Sequence, residues 1–207
     1  MKNTLLLVLA ITTLKISAQN NYVGIEGGPV YSNIYHSYYY PNSSSMLRAS
    51  CGFTYTFIVA NRFESSAGLL YTQKAFVLQE YGPGAYGTDI YSHRYSYLSV
   101  PLKEGFRFGD KTYGFINIGV VLSCLVSATA EEQYENRIYK TDIKNWSPSW
   151  DVSGLVELGI GQQIKERLRL NTSLAFQHSF TPTQNGSDTH FYGIALSVGL
   201  KYALKKG

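Results

Sequence analysis

Ten charged residues fall between apolar ones in segments where every second residue is bulky and apolar. Strict alternation indicates β-strands with two unlike faces, so these charges share the face opposite the apolar side chains. Both signs along one interior could form an ion path or proton relay, or a paired network that fills a narrow space. We favour the filling network. Its members are Glu26, Arg48, Glu64, Lys74, Lys103, Arg107, Asp151, Glu157, Arg169 and Lys201.

Two pairs within this set follow from the strand order. Glu64 and Arg107 both lie close to short turns on adjacent predicted strands, which predicts an ion pair between them. Glu157 and Lys103 are predicted to pair across the interior. Removal of one partner from a buried pair leaves an uncompensated charge and costs about 3–5 kcal/mol.

Other residues that could do chemistry give weaker patterns. His36, His93, His178 and His190 lie in or beside long polar segments, but none is spaced as HxH or HxxxH, so we interpret them as solvated loop histidines. His178, Ser179 and Asp188 resemble a Ser/His/acid set. Adjacent strand residues point to opposite faces, which disfavours catalysis there. We predict no catalytic residue, no cofactor and no bound metal.

Tyrosine is the most abundant aromatic residue, with 18 in the chain. Tyrosines in the long segments offer a large contact area and a hydroxyl group, as protein-binding surfaces do. The alternative is an aromatic belt with loop self-packing. The candidate surface contacts are Tyr39, Tyr40, Tyr81 and Tyr86.

The elements that must position these residues are strands. The alternating pattern recurs in eight segments, each meeting the about 9–11 residues that a tilted membrane strand needs. Short turns at 60–62, 109–111 and 165–167 alternate with long polar segments at 36–46, 77–93, 129–147 and 179–189. This layout predicts an all-β fold: an eight-stranded antiparallel up-and-down transmembrane β-barrel with short periplasmic turns and long extracellular loops.

The composition of the two faces indicates which one meets lipid. The second face is rich in Gly, Ser and Ala, which fit the narrow interior of an eight-stranded barrel. A water-facing strand surface would carry many more Lys, Glu, Thr and Gln. We therefore expect the bulky face to point outward into lipid. Cys51 and Cys124 then lie outside on non-adjacent strands, and we predict two unpaired thiols.

The N-terminus predicts export. Lys2 precedes the apolar run from Leu5 to Ile11, and Ala18 offers a cleavage site, so residues 1–18 are expected to be a cleaved signal peptide. Residues 19–207 then form a single barrel domain in the outer membrane. A net charge of +4, mixed in sign, is too mild to indicate nucleic acid.

Several motifs carry a family resemblance. YLSVPL at 97–102, preceded by GLLYTQK at 68–74, and GLKY at 199–202 resemble the PorT-like outer-membrane β-barrel family of the Bacteroidetes. The resemblance implies a small barrel that contacts outer-membrane lipid and the barrel-insertion machinery, with a link to secretion or envelope processes. It supplies no catalytic residues.

The function predicted from the sequence is a structural or surface-interaction protein without catalysis, whose extracellular loops contact an unidentified protein or ligand. The alternatives are a narrow passive channel and, less favoured, a lipid-modifying outer-membrane enzyme.

Overall fold

The computed structural model of the chain describes residues 18–35, 43–59, 62–81, 88–134 and 137–204. Within these ranges the chain forms nine strands and one 3-10 turn at Lys144–Trp146. No described helix is long and apolar enough to cross a membrane. The strands are β1 (Ala18–Tyr35), β2 (Ser43–Val59), β3 (Phe63–Tyr81), β4 (Thr88–Gly109), β5 (Thr112–Tyr134), β6 (Arg137–Asp142), β7 (Trp150–Lys165), β8 (Leu168–Pro182) and β9 (His190–Ala203).

Eight of these described strands close into a barrel. Each pairs antiparallel with its neighbours in the order β1, β2, β3, β4, β5, β7, β8, β9, and β9 pairs back onto β1. A closed sheet leaves no barrel strand with an unpaired edge. The predicted eight-stranded up-and-down barrel is confirmed. β6 lies outside the ring. Among the described strands it pairs only with β5, along the last six residues of that strand.

The bulky face of the strands points outward, as predicted. Phe53 is 69 % exposed, Ile118 63 % and Leu158 55 %, although all three are large and apolar. The interior is lined instead by small and polar side chains such as Ser99, Ser123 and Ser153. Soluble proteins bury such apolar residues, so this barrel has the surface of a protein whose solvent is hydrocarbon.

This pattern reverses at the end of the barrel that carries the long loops, here called the long-loop end. The β4–β5 pairing shifts register between Ser96 and Tyr97, and on the facing strand Val126 and Ser127 are both exposed. A bulge of this kind changes the face on which later residues fall. Here it moves the inward position on β5 from Leu125 to Ala128, while β4 keeps one alternation through Tyr95. Around and above this level the interior is an apolar cluster formed by Ile34, Phe76, Leu78, Tyr95, Tyr97, Leu125, Ala128, Ile143 and Phe191.

The strands therefore run further than the sequence predicts. The segments 77–93 and 129–147 were expected to be loops, but β3 continues to Tyr81, β4 begins at Thr88 and β5 reaches Tyr134. β6 adds a hairpin within the second of these segments. The outer face of this extension meets water, so its outward residues are polar. Those polar residues led to the prediction of loops in the two segments.

The opposite end, here called the short-turn end, is tightly built. Gly109 closes the β4–β5 turn with φ +98°, a left-handed conformation that residues with a Cβ rarely adopt. Pro29 lies inside β1, a position that proline occupies only where its missing N–H is not needed for pairing. It pairs with Ala49 of β2, whereas the β1–β9 pairing skips Gly28 and Pro29, because proline has no N–H to donate.

The two cysteines are unpaired, as predicted. Cys51 lies on β2 and is exposed, and Cys124 lies on β5 and is half-buried. Each acts as a small, weakly polar side chain.

Candidate functional site

Charged residues fill the barrel interior in successive layers. Glu64, Lys74, Lys103, Arg107, Asp151, Glu157 and Lys201 are all buried. Arg48 lies nearer the long-loop end and is half-buried, where its guanidinium donates to the Leu47 carbonyl at 3.3 Å and contacts the Met46 sulfur at 2.9 Å. The strand alternation that turns apolar residues outward places these charges inside.

The central layer is built around Lys103. Its Nζ lies 3.2 Å from the Glu157 carboxylate and 3.7 Å from Glu26 Oε1. Glu157 also accepts hydrogen bonds of 2.8 Å from the Asn117 amide and from the Ser173 hydroxyl. One lysine from β4 thus joins carboxylates of β1 and β7, and the predicted Lys103–Glu157 contact is present.

The layer below it corrects the other predicted pair. Glu64 accepts a 2.9 Å hydrogen bond from Lys201 Nζ, and not from Arg107. Arg107 instead donates to the Asp110 carbonyl at 2.8 Å and stacks on the Tyr113 ring at 3.6 Å. Glu64 and Arg107 do lie on adjacent strands, but the arginine turns toward the β4–β5 turn and an aromatic face.

Arginine and tyrosine close the short-turn end of the interior. Arg169 lies 4.4 Å from the centre of the Tyr22 ring and 5.5 Å from that of Tyr113. The Tyr113 hydroxyl is 2.6 Å from the side-chain amide of Asn171. Guanidinium groups stack well on aromatic faces, so these arginines need no carboxylate partner.

The uppermost ionic layer lies under the apolar cluster. Lys74 Nζ is 2.7 Å from Asp151 Oδ2 and within 3.5 Å of the Ser153 and Ser179 hydroxyls. The rings of Tyr97 and Phe191 each lie 5.5 Å from the same ammonium group. The ammonium is thus held by one carboxylate, two hydroxyls and two aromatic faces.

The histidine, serine and acid of the weaker enzyme pattern do not meet. Ser179 is fully buried and donates to Asp151 Oδ2 at 3.1 Å, while its neighbour His178 lies on the other face of β8. Asp188 Oδ1 lies 3.6 Å from His190 Nε2. Among the described residues, no three His, Cys, Asp or Glu side chains are grouped so as to hold a metal ion.

The β5–β6 hairpin projects from the long-loop end and exposes large side chains. Ile138 is 63 % exposed and Tyr139 51 %, and Trp146, in the 3-10 turn that follows β6, is 62 % exposed. At its base, Glu131 forms ion pairs with Arg94 at 2.6 Å and with Lys140 at 2.9 Å. The hydrogen bond from Lys140 lowers the pKa of the Glu131 carboxyl, and the charge of Arg94 adds to this shift.

The hairpin was missed because its residues were read as a solvated loop. The available signal was the pair of large side chains Ile138 and Tyr139 within an otherwise polar segment. The tyrosines predicted as surface contacts cannot be placed beside it: Tyr39, Tyr40 and Tyr86 lie outside the described residues, and Tyr81 is the last residue of β3.

Comparison with known proteins gives similar structures but no sequence relative. No family model and no curated protein matches the chain, so the PorT-like resemblance stays a prediction. Three solved structures illustrate the likeness. The outer membrane protein OprG from Pseudomonas aeruginosa matches with TM-score 0.49 and 11 % identity, covering 91 % of this chain and 97 % of that one.

The outer membrane protein AlkL matches with TM-score 0.49 and 13 % identity over 91 % of this chain and 92 % of its own. Neisserial surface protein A matches with TM-score 0.47 and 10 % identity over 88 % of this chain and 96 % of its own. At these values the matches carry no argument about activity, and the fold rests on the strand pairing itself.

Proposed function

We propose that this chain is a non-catalytic β-barrel of the outer membrane with a structural or surface-interaction role. The apolar outer surface is the observation that carries this proposal. On β8 the outward residues are Leu170, Leu174, Phe176 and Phe180, with Thr172 and His178 between them. The ten residue steps from Leu170 to Phe180, in a strand tilted by about 40°, rise about 26 Å, close to the height of about 25 Å of the apolar band of outer-membrane barrels. The short-turn end then faces the periplasm and the long-loop end the cell exterior.

The layered interior supports a structural role over a channel. Every described carboxylate inside the barrel lies within 3.7 Å of a lysine, and the apolar cluster caps the layers at the exterior end. An eight-stranded barrel is only wide enough for side chains to fill it. Mobile ions have no polar route through such a packing.

We expect the protein to produce no sustained current in a planar bilayer, because the ionic layers and the apolar cluster fill the interior. Single-channel recording with a porin in the same bilayer as the positive control checks this. Stable unitary steps that scale with the amount of inserted barrel would replace the structural role with the narrow channel.

The β5–β6 hairpin is the described surface best suited to contact a partner. It holds Ile138 and Tyr139 in water, and Trp146 of the 3-10 turn that follows β6 is also exposed, so apolar area at this end gains from being covered. A link to secretion or envelope processes, as the family resemblance implies, would act through this end.

The membrane assignment is tested by heat modifiability. We expect residues 19–207, refolded into lipid vesicles, to migrate differently on a gel before and after boiling, because a closed barrel resists detergent unfolding. The vesicles should carry the protein on flotation through a density gradient. A chain that stays monomeric in water without detergent, and shows no shift, would contradict the assignment.

A further inference from the structure

One acidic residue lies on the outer, apolar face of the barrel. Glu104 follows Leu102 and precedes Phe106 on the outward side of β4, and its side chain is exposed. It pairs in register with Ser65 of β3 and Ile118 of β5. It lies five residue steps from Gly109, which places it about 13 Å above the turn in a strand tilted by about 40°.

This position is costly for a carboxylate in hydrocarbon. An ionised side chain on the lipid face destabilises a barrel, and such residues mark functional sites. The Ser65 hydroxyl donates a hydrogen bond to Glu104, and it is the one donor found for this carboxylate among the described residues. A single neutral hydroxyl does not neutralise the charge.

No described lysine or arginine shares this part of the outer face, and the outward His178, which lines the same groove as Glu104, lies three strands away on β8. The buried lysines and Arg107 belong to the interior layers, and Arg169 stacks on interior tyrosines. The exposed cations lie in the short turns and strand ends, as Arg62, Lys111, Lys165 and Arg167, or at the long-loop end. The same face of a second copy of this chain therefore cannot supply a counter-charge to Glu104. The occupant must bring its own cation.

A groove leads away from Glu104 across the strands. Its volume is about 810 Å³, and small residues at Ser65, Ala67 and Gly154 form low points between apolar walls that include Ile118 and Val156. Glu104, Ile118 and Val156 are successive partners in the strand register. Because the strands tilt, this register row climbs from the periplasmic side toward the middle of the membrane.

We infer that this groove binds a phospholipid of the periplasmic leaflet that carries a primary ammonium headgroup. The ammonium donates to the Glu104 carboxylate, and an acyl chain follows the row past Ile118 and Val156. The inference rests on the proposed membrane location. It adds a lipid class and a site to it, which the apolar belt alone does not specify.

The test compares lipids that co-purify with the mature barrel. The protein is inserted into vesicles of equal parts phosphatidylethanolamine and phosphatidylglycerol with the same acyl chains, extracted gently, and examined by native mass spectrometry. A charge-assisted hydrogen bond predicts about tenfold enrichment of the ethanolamine lipid on the wild-type barrel. Glu104→Gln should abolish the enrichment, and Leu196→Gln, on the lipid face of β9, should leave it unchanged.

Two further samples distinguish the contribution of the lipid headgroup to retention from that of the groove. Phosphatidylcholine keeps the positive charge but has no N–H donor, so it should show little enrichment. Ala67→Phe narrows the groove beside Leu102, its partner in register, while keeping the Glu104 carboxylate and the Ser65 hydroxyl, and should reduce retention of the ethanolamine lipid.

Equal retention of both lipids by the wild type, or unchanged enrichment in Glu104→Gln, would overturn the inference. Each sample is first tested for the heat shift on a gel. If the wild type shows no shift, the membrane proposal fails together with this one. A shift without lipid preference overturns the lipid site alone.

Discussion

Lys103→Met is expected to lower the free energy of unfolding by about 3–5 kcal/mol, because it leaves buried carboxylates without their cation. Lys103 is the residue that lies within ion-pair distance of both Glu157 and Glu26. Methionine is similar in length and apolar, so packing is largely kept and the loss reports the unpaired charges. Urea unfolding of the barrel in vesicles, followed by tryptophan fluorescence, measures the change.

The matched control removes the charges together. In the triple variant Lys103→Met, Glu26→Gln and Glu157→Gln, no carboxylate is left uncompensated, and most of the lost stability should return. If the single variant unfolds within about 1 kcal/mol of the wild type, the central layer does not act as a buried charge network.

Leu158→Arg is expected to destabilise the inserted barrel by about 2–4 kcal/mol, the range found for a cation near the membrane midplane on the lipid face of a barrel. Leu158 is 55 % exposed on β7 and lies between the outward Val156 and Ile160. Its surroundings are entirely apolar on that face, so the guanidinium loses its hydration without gaining a partner. The same urea titration in vesicles gives the magnitude.

Ile138→Arg is the control for this prediction. Ile138 is just as apolar and 63 % exposed, but it lies on the β5–β6 hairpin beyond the apolar band. A cation there meets water, and stability should change by less than about 0.5 kcal/mol. Equal losses at both positions would mean that the outer face of β7 does not contact lipid.

Much of the fold could be predicted because a strand in a barrel has only two environments. Residues such as Ile118 and Asn117 alternate between lipid and interior, and that alternation can be read directly in the sequence. The position of Lys103 opposite Glu157 follows from the same reasoning, since both residues occupy inward positions near the middle of their strands. The orientation of the faces needed no knowledge of the strand pairing.

The features that were missed depend on how the barrel closes and where it leaves the membrane. Lys201 reaches Glu64 because β9 closes the ring next to β1, a juxtaposition of residues 137 positions apart that tilt and stagger decide. The apolar cluster was missed because Ile34, Phe76 and Tyr95 occupy inward positions of their strands beyond the last ionic layer, beside segments whose polar residues predicted loops. The isolation of Glu104 on the outer face also depends on strand pairing, which sets Ser65 and Ile118 beside it.

The exchange of apolar and polar residues between the two faces at the long-loop end also sets the depth at which the barrel sits in the membrane. On the membrane side of this level the barrel wall is apolar outside and polar inside. Beyond it, Tyr95 and Phe76 occupy inward positions, and Arg94 and Lys140 reach water. If the barrel sat deeper by two residues, charged side chains at the long-loop end would enter the acyl chains. If it sat higher, apolar side chains of the outer face would be exposed to water. The depth of the barrel in the membrane is thus set by the change in polarity along its strands rather than by its loops.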